Sequence, residues 1–259
     1  MNVGVKYLTN IPSHEIVFFR ALVSLVVCYF MIRKAGLNPW GNKKSLLIMR
    51  GLTGTTALII YFNTIQTMPL ATAATLIQLS PIFTIILAGP MLKESPRPIQ
   101  WLFFIISFGG VIMVKGFDAR VTPTEVALGV TAAFFAGLAY NYIRKVKNYD
   151  HPLVVVFYFP LVTVPLVGAY TLTHWVPPTP IEWLILLAIG GVVTVAQIYM
   201  TRAYQLERAA NISNYTYLGV VLAIMIGWVF FDETISLLAF GGISLIIFGV
   251  IMGSRFARR

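Results

Sequence analysis

The stretch from Leu70 to Leu92 carries no charged side chain. A helix needs about 20 apolar residues to cross the hydrocarbon core of a bilayer, so this run is long enough to span it. Comparable runs cover residues 16–32, 46–66, 99–114, 126–143, 153–173, 183–201, 211–231 and 235–253, giving nine full spans. A chain that is 58% hydrophobic and 11% charged cannot hide so much apolar surface in a water-soluble core of this length. The runs are continuous, whereas a membrane β-barrel shows short alternating segments. The expected fold is therefore an all-α integral membrane protein. Turn residues in "NIPSH", "GLNPWGNKK", "ESPRP" and "VPPTP" punctuate the spans, and no soluble domain interrupts them.

Net charge is +10. In a soluble chain that balance points toward nucleic acid, but here no basic stripe with interleaved aromatics forms on a soluble segment, so no nucleic-acid partner is expected. Cys28 is the only cysteine, which excludes an intrachain disulfide and a thiolate metal site. The segment after Met1 shows no basic stretch leading into an apolar core, so no cleavable signal peptide is expected. The chain also lacks GxSxG, HExxH, paired intramembrane carboxylates and a phosphate-cradling GxxxxGK[ST]. Neither an enzyme nor a cofactor is expected.

The spans repeat. One shift of the chain lays Gln66 on Gln205, Leu79 on Leu218, Gly51 on Gly190, Lys93-Glu94 on Asp232-Glu233, and Gly110-Val111-Ile112-Met113 on the identical Gly249-Val250-Ile251-Met252. A slightly smaller shift lays His14 on His151. The division expected is residues 1–121 for repeat one and 122–259 for repeat two, each of five helices. The counterpart of the span that begins near Thr124 falls ahead of Met1, so residues 1–8 read as the tail of a mostly missing first helix, from a shortened gene product or start site, the alternative being a natural nine-span protein. Five spans per repeat is odd, so the halves must lie inverted in the membrane. With the C-terminus inside the cell, Arg33, Lys34, Lys43, Lys44, Arg50, Lys93, Arg97, Arg144, Lys145, Lys147, Arg202, Arg208, Arg255, Arg258 and Arg259 fall inside. Lys6, Lys115 and Arg120 fall outside and Arg20 within a span, as the positive-inside rule requires. Inverted repeats around a midplane site are a transporter design, since the halves can exchange conformations and open alternately to each side.

Several segments carry a resemblance: "HEIVFFRALVSL", "RGLTGTTALIIYFNTIQTMPLATAATLIQLSPIFTIILAGPMLKE", "GGVIMV" and "RAYQLERAANISNYTYLGVVLAIMIGWVFFDE". Through them the chain resembles the EamA type of the drug/metabolite transporter superfamily. That resemblance covers nearly the whole chain and implies two five-helix inverted repeats carrying small organic metabolites, often as exporters in the bacterial inner (plasma) membrane.

Polar side chains facing lipid are unfavourable, so Gln78 and Ser80 should point into a bundle or a water-filled cavity. Pro81 removes a backbone donor and leaves an upstream carbonyl open. "QLSP" thus reads as cavity wall or, on the blander view, as glue between helices. Tyr61, Asn63, Gln197 and Tyr199 lie at comparable depth, and Asn211, Asn214 and Tyr215 share one helical face at i, i+3 and i+4. Their alternative place is the headgroup interface, which is also where Tyr140, Asn141 and Tyr142 are expected. Arg20, about 9 Å into its helix, is either an anchor for an anionic substrate group or a snorkelling residue. The acids and histidines all lie in loops or at span ends, so no proton relay is expected and movement down a substrate gradient follows, provided Glu15 is not buried. Only Arg20 supplies cavity charge, which favours neutral, zwitterionic or singly anionic cargo, with amino acids first. The competing reading is a non-transporting regulatory or assembly partner. Expected partners are a small-molecule substrate, the lipid bilayer and a second copy in a homodimer.

Overall fold

The computed structural model describes residues 2–93, 98–117, 121–206, 218–231 and 237–256, and among them every element is helical. The helices are α1 (Asn2–Tyr7), α2 (Ser13–Lys34), α3 (Lys44–Thr67), α4 (Leu70–Ile77), α5 (Ser80–Leu92), α6 (Pro98–Phe117), α7 (Pro123–Val146), α8 (Pro152–Thr173), α9 (Pro180–Leu206), α10 (Leu218–Phe231) and α11 (Leu237–Phe256). Six segments, Leu70–Leu92 counted whole, are long and apolar enough to cross a membrane. On α9, Leu184, Leu187, Val192 and Val195 are exposed. Such a large exposed apolar face suits a lipid surround and not water.

Two units form. Unit 1 comprises Met1–Gln66 and Tyr142–Leu206; unit 2 comprises Thr67–Asn141 and Glu207–Arg259. Each draws helices from both halves of the sequence. In unit 1, α2 packs against α8 and α9. Gly190 of α9 makes this approach close: a Cβ there would stand 2.6 Å from Val23 Cβ. Ser24 Oγ lies 2.6 Å from Thr194 Oγ1, and Thr194 donates to the Gly190 carbonyl at 2.6 Å. With the Thr194 proton committed to its own helix, Ser24 donates to Thr194 across the interface, and the pair satisfies polar groups that lipid cannot.

The two ends of unit 1 are closed differently. At one end, Glu15 Oε2 accepts the N–H of Val176 at 3.1 Å, and Gln66 Nε2 donates to the carbonyls of Leu8 and Ile11. At the other, Asp150 accepts the N–H groups of Asn42 and Lys43, while Gln205 Nε2 donates to the Asp150 carbonyl. The shift that lays Gln66 on Gln205 also lays Ile11 on Asp150. Equivalent glutamines thus brace equivalent links at opposite ends, which is inversion expressed as hydrogen bonds.

Unit 2 is centred on α11, which packs along α6 and also meets α4 and α5. A Cβ at Gly110 would meet the Gly242 carbonyl and Ile246, and one at Gly249 would meet Phe103 and Ser107. The repeat shift pairs Phe103 with Gly242 and Ser107 with Ile246. The contact is therefore reciprocal, like one made across a two-fold axis.

Residues 70–92 do not form a continuous helix. At Gln78 and Leu79 the N–H groups bond back three residues, to Thr75 and Leu76, at 3.0 Å each, and Pro81 begins α5 near its first position. A proline is well accommodated there because no intrahelical donor is needed. The expectation of one span stands by length, since Leu70–Leu92 taken whole is long and apolar enough to cross a membrane, and within it a tight turn at Gln78 and Leu79 divides the helix into α4 and α5. A small-residue stripe on α7 lies against this join. Gly129 faces Leu76, and a Cβ at Gly137 would come within 2.9 Å of the Ser80 carbonyl and the Thr84 N.

Candidate functional site

The predicted site residues fall into two groups. Gln78, Ser80 and Pro81 of unit 2 are all buried at the α4–α5 turn. Their neighbour is Asn141, fully buried, whose Nδ2 donates to the Thr84 carbonyl at 2.9 Å and to the Gly137 carbonyl at 3.1 Å. The expectation that Asn141 sits at the headgroup interface is corrected: it braces α5 just beyond the turn. Asn214 and Tyr215, with Asn211, lie outside the described residues.

Arg20, Tyr61, Asn63, Gln197 and Tyr199 belong to unit 1. Tyr61 is buried and its hydroxyl accepts from Asn2 Nδ2 at 2.9 Å. Asn63 is exposed and Gln197 half-buried. Tyr199 is 66% exposed, on the same α9 face as Val192 and Val195. Unit 1 also carries an open apolar groove of about 690 Å³ between Trp40, Lys44, Leu52, Tyr158 and Val162, and none of the predicted residues lines it.

Arg20 is 5% exposed, seven residues along α2, and its Nε and Nη1 make no hydrogen bond among the described residues. Its guanidinium carbon stands 5.4 Å from the Phe159 ring centroid and 6.0 Å from that of Phe62. A side chain that snorkels keeps its head in water. This one does not. Removing a guanidinium from water costs several kcal/mol, and a desolvated cation–π contact returns only about 2 kcal/mol, so the rings alone do not offset the burial.

Sequence reasoning missed a second arginine. Arg50, counted there among the orienting charges of the inner side, is 2% exposed within α3, and its guanidinium carbon lies 4.7 Å from the same Phe159 centroid. Gly54, one turn on, makes the room: a Cβ there would lie 2.5 Å from Arg50 Nη1 and 3.1 Å from Phe159 Cδ2. Gly51 plays a different part, since its missing side chain lets α3 approach Val162 of α8. The clue in the sequence was the spacing of Arg50 and Gly54 at i and i+4, on one helical face.

Glu15 is fully buried and its Oε1 makes no hydrogen bond among the described residues. The premise for movement down a gradient, that this acid lies in the open, does not hold. Nearby, His14 packs edge-on against Tyr170, which stacks on His174.

The fold can be set beside known proteins. A solved crystal structure aligns with 99% of this chain and 93% of its own at a TM-score of 0.71, with 20% identity, which shows a shared fold. The pseudopaline exporter of Pseudomonas aeruginosa is 34% identical over 98% of this chain and 91% of its own length. Human solute carrier family 35 member G1 is 29% identical over 92% of this chain and 70% of its own, and the S-adenosylmethionine uptake transporter of Rickettsia prowazekii is 25% identical over 88% and 78%. The profile of the EamA-like transporter family matches residues 2–116 and 123–255, nearly all of the helical membrane chain built above. These helices, with their reciprocal packing and buried polar turn, belong to the EamA-like transporter family of small-molecule carriers, and the chain is not an enzyme.

Proposed function

We propose that this chain carries amino acids or related small neutral, zwitterionic or singly anionic solutes across the bacterial inner membrane by alternating access, with its C-terminus on the cytoplasmic side. The observation that carries this reading is Arg20, a fixed cation buried in the apolar interior of unit 1 with hydrogen-bond donors to spare. Arginine stays protonated in proteins, so such a group requires an anionic oxygen. A carboxylate shared by every amino acid meets that need. Gln78, Ser80 and Pro81 supply polar groups and a helix break of the kind carriers use beside their cargo. Tyr61, Asn63, Gln197, Tyr199, Asn214 and Tyr215 complete the proposed set, and a homodimer is the proposed assembly. Export is the proposed direction, supported by the similarity to the pseudopaline exporter. The two halves, 1–121 and 122–259, are proposed as the inverted repeats that exchange conformations.

The test is transport by the purified chain in liposomes, using labelled amino acids with counterflow as the readout. Saturable flux that falls at least tenfold in Arg20→Gln, with the variant's thermal unfolding unchanged, is the expected result. Flux indifferent to Arg20 in a folded variant would move the anchor elsewhere.

A further inference from the structure

We infer that the groove between α3 and α8 in unit 1 is a binding site for one anionic phospholipid, with its phosphate at Lys44 and one acyl chain laid between the two helices. The inference goes beyond the transport reading and does not rest on it. Lys44, Ile48 and Leu52 recur every four residues on one face of α3, and Tyr158, Leu161 and Pro165 recur at i, i+3 and i+7 on α8, so two helical stripes form the walls. Ile48 is 43% exposed and Leu166 52%, which leaves the groove open along its side. From Lys44 to Leu52 it runs about 12 Å at 1.5 Å per residue, close to one leaflet, or half of a hydrocarbon core of roughly 30 Å. A crossing helix of a partner protein needs twice that length; a lipid chain does not. The mouth is polar and the depth is not. At the mouth, the Tyr158 hydroxyl donates to the Trp40 carbonyl at 2.7 Å and the Trp40 N–H donates to Asn38 Oδ1 at 3.0 Å, so the loop that closes this end is fixed from both sides. Trp40 is itself exposed, an amphipathic ring of the kind that the headgroup region favours. Lys44 is the cation among the lining residues, and no acid lines the groove. Its neighbour Lys43 stands 5.0 Å from the Tyr149 ring centroid, and Asp150 commits both carboxylate oxygens to the N–H groups of Asn42 and Lys43. The mouth therefore carries positive charge. An anionic headgroup complements it, whereas a choline headgroup brings a cation of its own.

The experiment is native mass spectrometry of the full chain released from detergent, with dioleoyl phosphatidylglycerol and dioleoyl phosphatidylcholine as probes that share their chains and differ in headgroup. Phosphatidylglycerol is expected to bind at least about fivefold more tightly, the effect of one lysine beside an anionic headgroup. Lys44→Gln should reduce that preference to less than about twofold, whereas Lys147→Gln, the same change at an exposed lysine outside the groove, should leave it intact. Leu52→Trp fills the groove and should weaken both lipids together by at least about fivefold. Each variant is compared with the parent by thermal unfolding, so that only folded protein is scored. Equal affinity for the two lipids, a loss in Lys147→Gln as large as in Lys44→Gln, or binding that ignores Leu52→Trp would each overturn the inference. A lipid-free dimer that Leu52→Trp splits would give the groove to a second copy, and displacement of the lipid by glycerol phosphate would place the affinity in the headgroup alone; either result overturns it too. Binding and flux are separate readouts. Failure of the lipid site leaves the carrier reading standing, and a chain that moves no amino acid can still show the site.

Discussion

Asp150 accepts the N–H of Asn42 on one carboxylate oxygen at 2.5 Å and that of Lys43 on the other at 3.1 Å, while its own carbonyl receives Gln205. The side chain is buried, and it sits where Gly41 turns through φ +60, a left-handed backbone that only glycine adopts freely. Removing the acceptor leaves two backbone donors short of partners, so Asp150→Ala should cost about 1–3 kcal/mol, and Asp150→Asn, which keeps one acceptor, should cost less. Thermal unfolding in detergent orders the three proteins; a loss no greater for alanine than for asparagine would refute the two-donor account. At this scale the sequence reveals single residues only when they contrast with their surroundings. Arg20 stands out because nothing near it in its span is basic. Arg50 does not, because it follows Lys43 and Lys44 closely enough to pass for an orienting charge at the start of its span, and only packing shows that it is buried. Asn141 is hidden for the same reason, beside Arg144 and Lys145.

Paired glycines show how elements of this protein meet. In Gly109-Gly110 and Gly190-Gly191 one member is filled from outside and the other is not: Gly110 meets the backbone of α11 and Gly190 meets Val23, whereas no atom of the described residues lies within 4 Å of a Cβ at Gly109 or Gly191. A methyl group at Gly110 or Gly190 must push a packed helix away, at about 1–3 kcal/mol. At Gly109 or Gly191 the same methyl group meets nothing, and exchanging glycine for alanine within a helix gains about 0.5–1 kcal/mol. Gly110→Ala and Gly190→Ala should therefore lower the unfolding temperature while Gly109→Ala and Gly191→Ala leave it unchanged or raise it. Equal effects within a pair would show that the helices do not approach as described. The positions of helices were legible from apolar run length, because lipid demands it. The break at Gln78 and Leu79 was not, because a proline inside an apolar run marks a kink and a restart equally well. The structure adds the close approach of α7, where Gly129 meets Leu76, Gly137 meets Ser80 and Thr84, and Asn141 donates to the Thr84 carbonyl.

The inversion ties these scales together, since unit 1 is braced by Gln66 at one end and by its equivalent Gln205 at the other. Its two ends also differ in charge. Arg33, Lys34, Lys43, Lys44, Lys145 and Lys147 gather around the links near Asp150, whereas the link near Val176 offers Glu15 and Glu182 with two histidines. That asymmetry was visible in the sequence as a loop pattern, and it belongs to one packed unit in which Asn42 bonds Tyr149 and Asp150 directly. Because Lys and Arg are retained on the cytoplasmic side, the Asp150 end should face the cell interior. Cys28 is buried, so Cys28→Ala supplies a background for single-cysteine labelling. In that background, a membrane-impermeant maleimide should label Pro177→Cys in intact cells but reach Ala35→Cys only after permeabilisation, both positions being exposed. The reverse pattern would place the basic end outside and undo the orientation; labelling of both in intact cells would mean that α2 does not cross the membrane. With α2 crossing, Arg20 is held between the two faces, and any anion that reaches it must leave bulk water to do so.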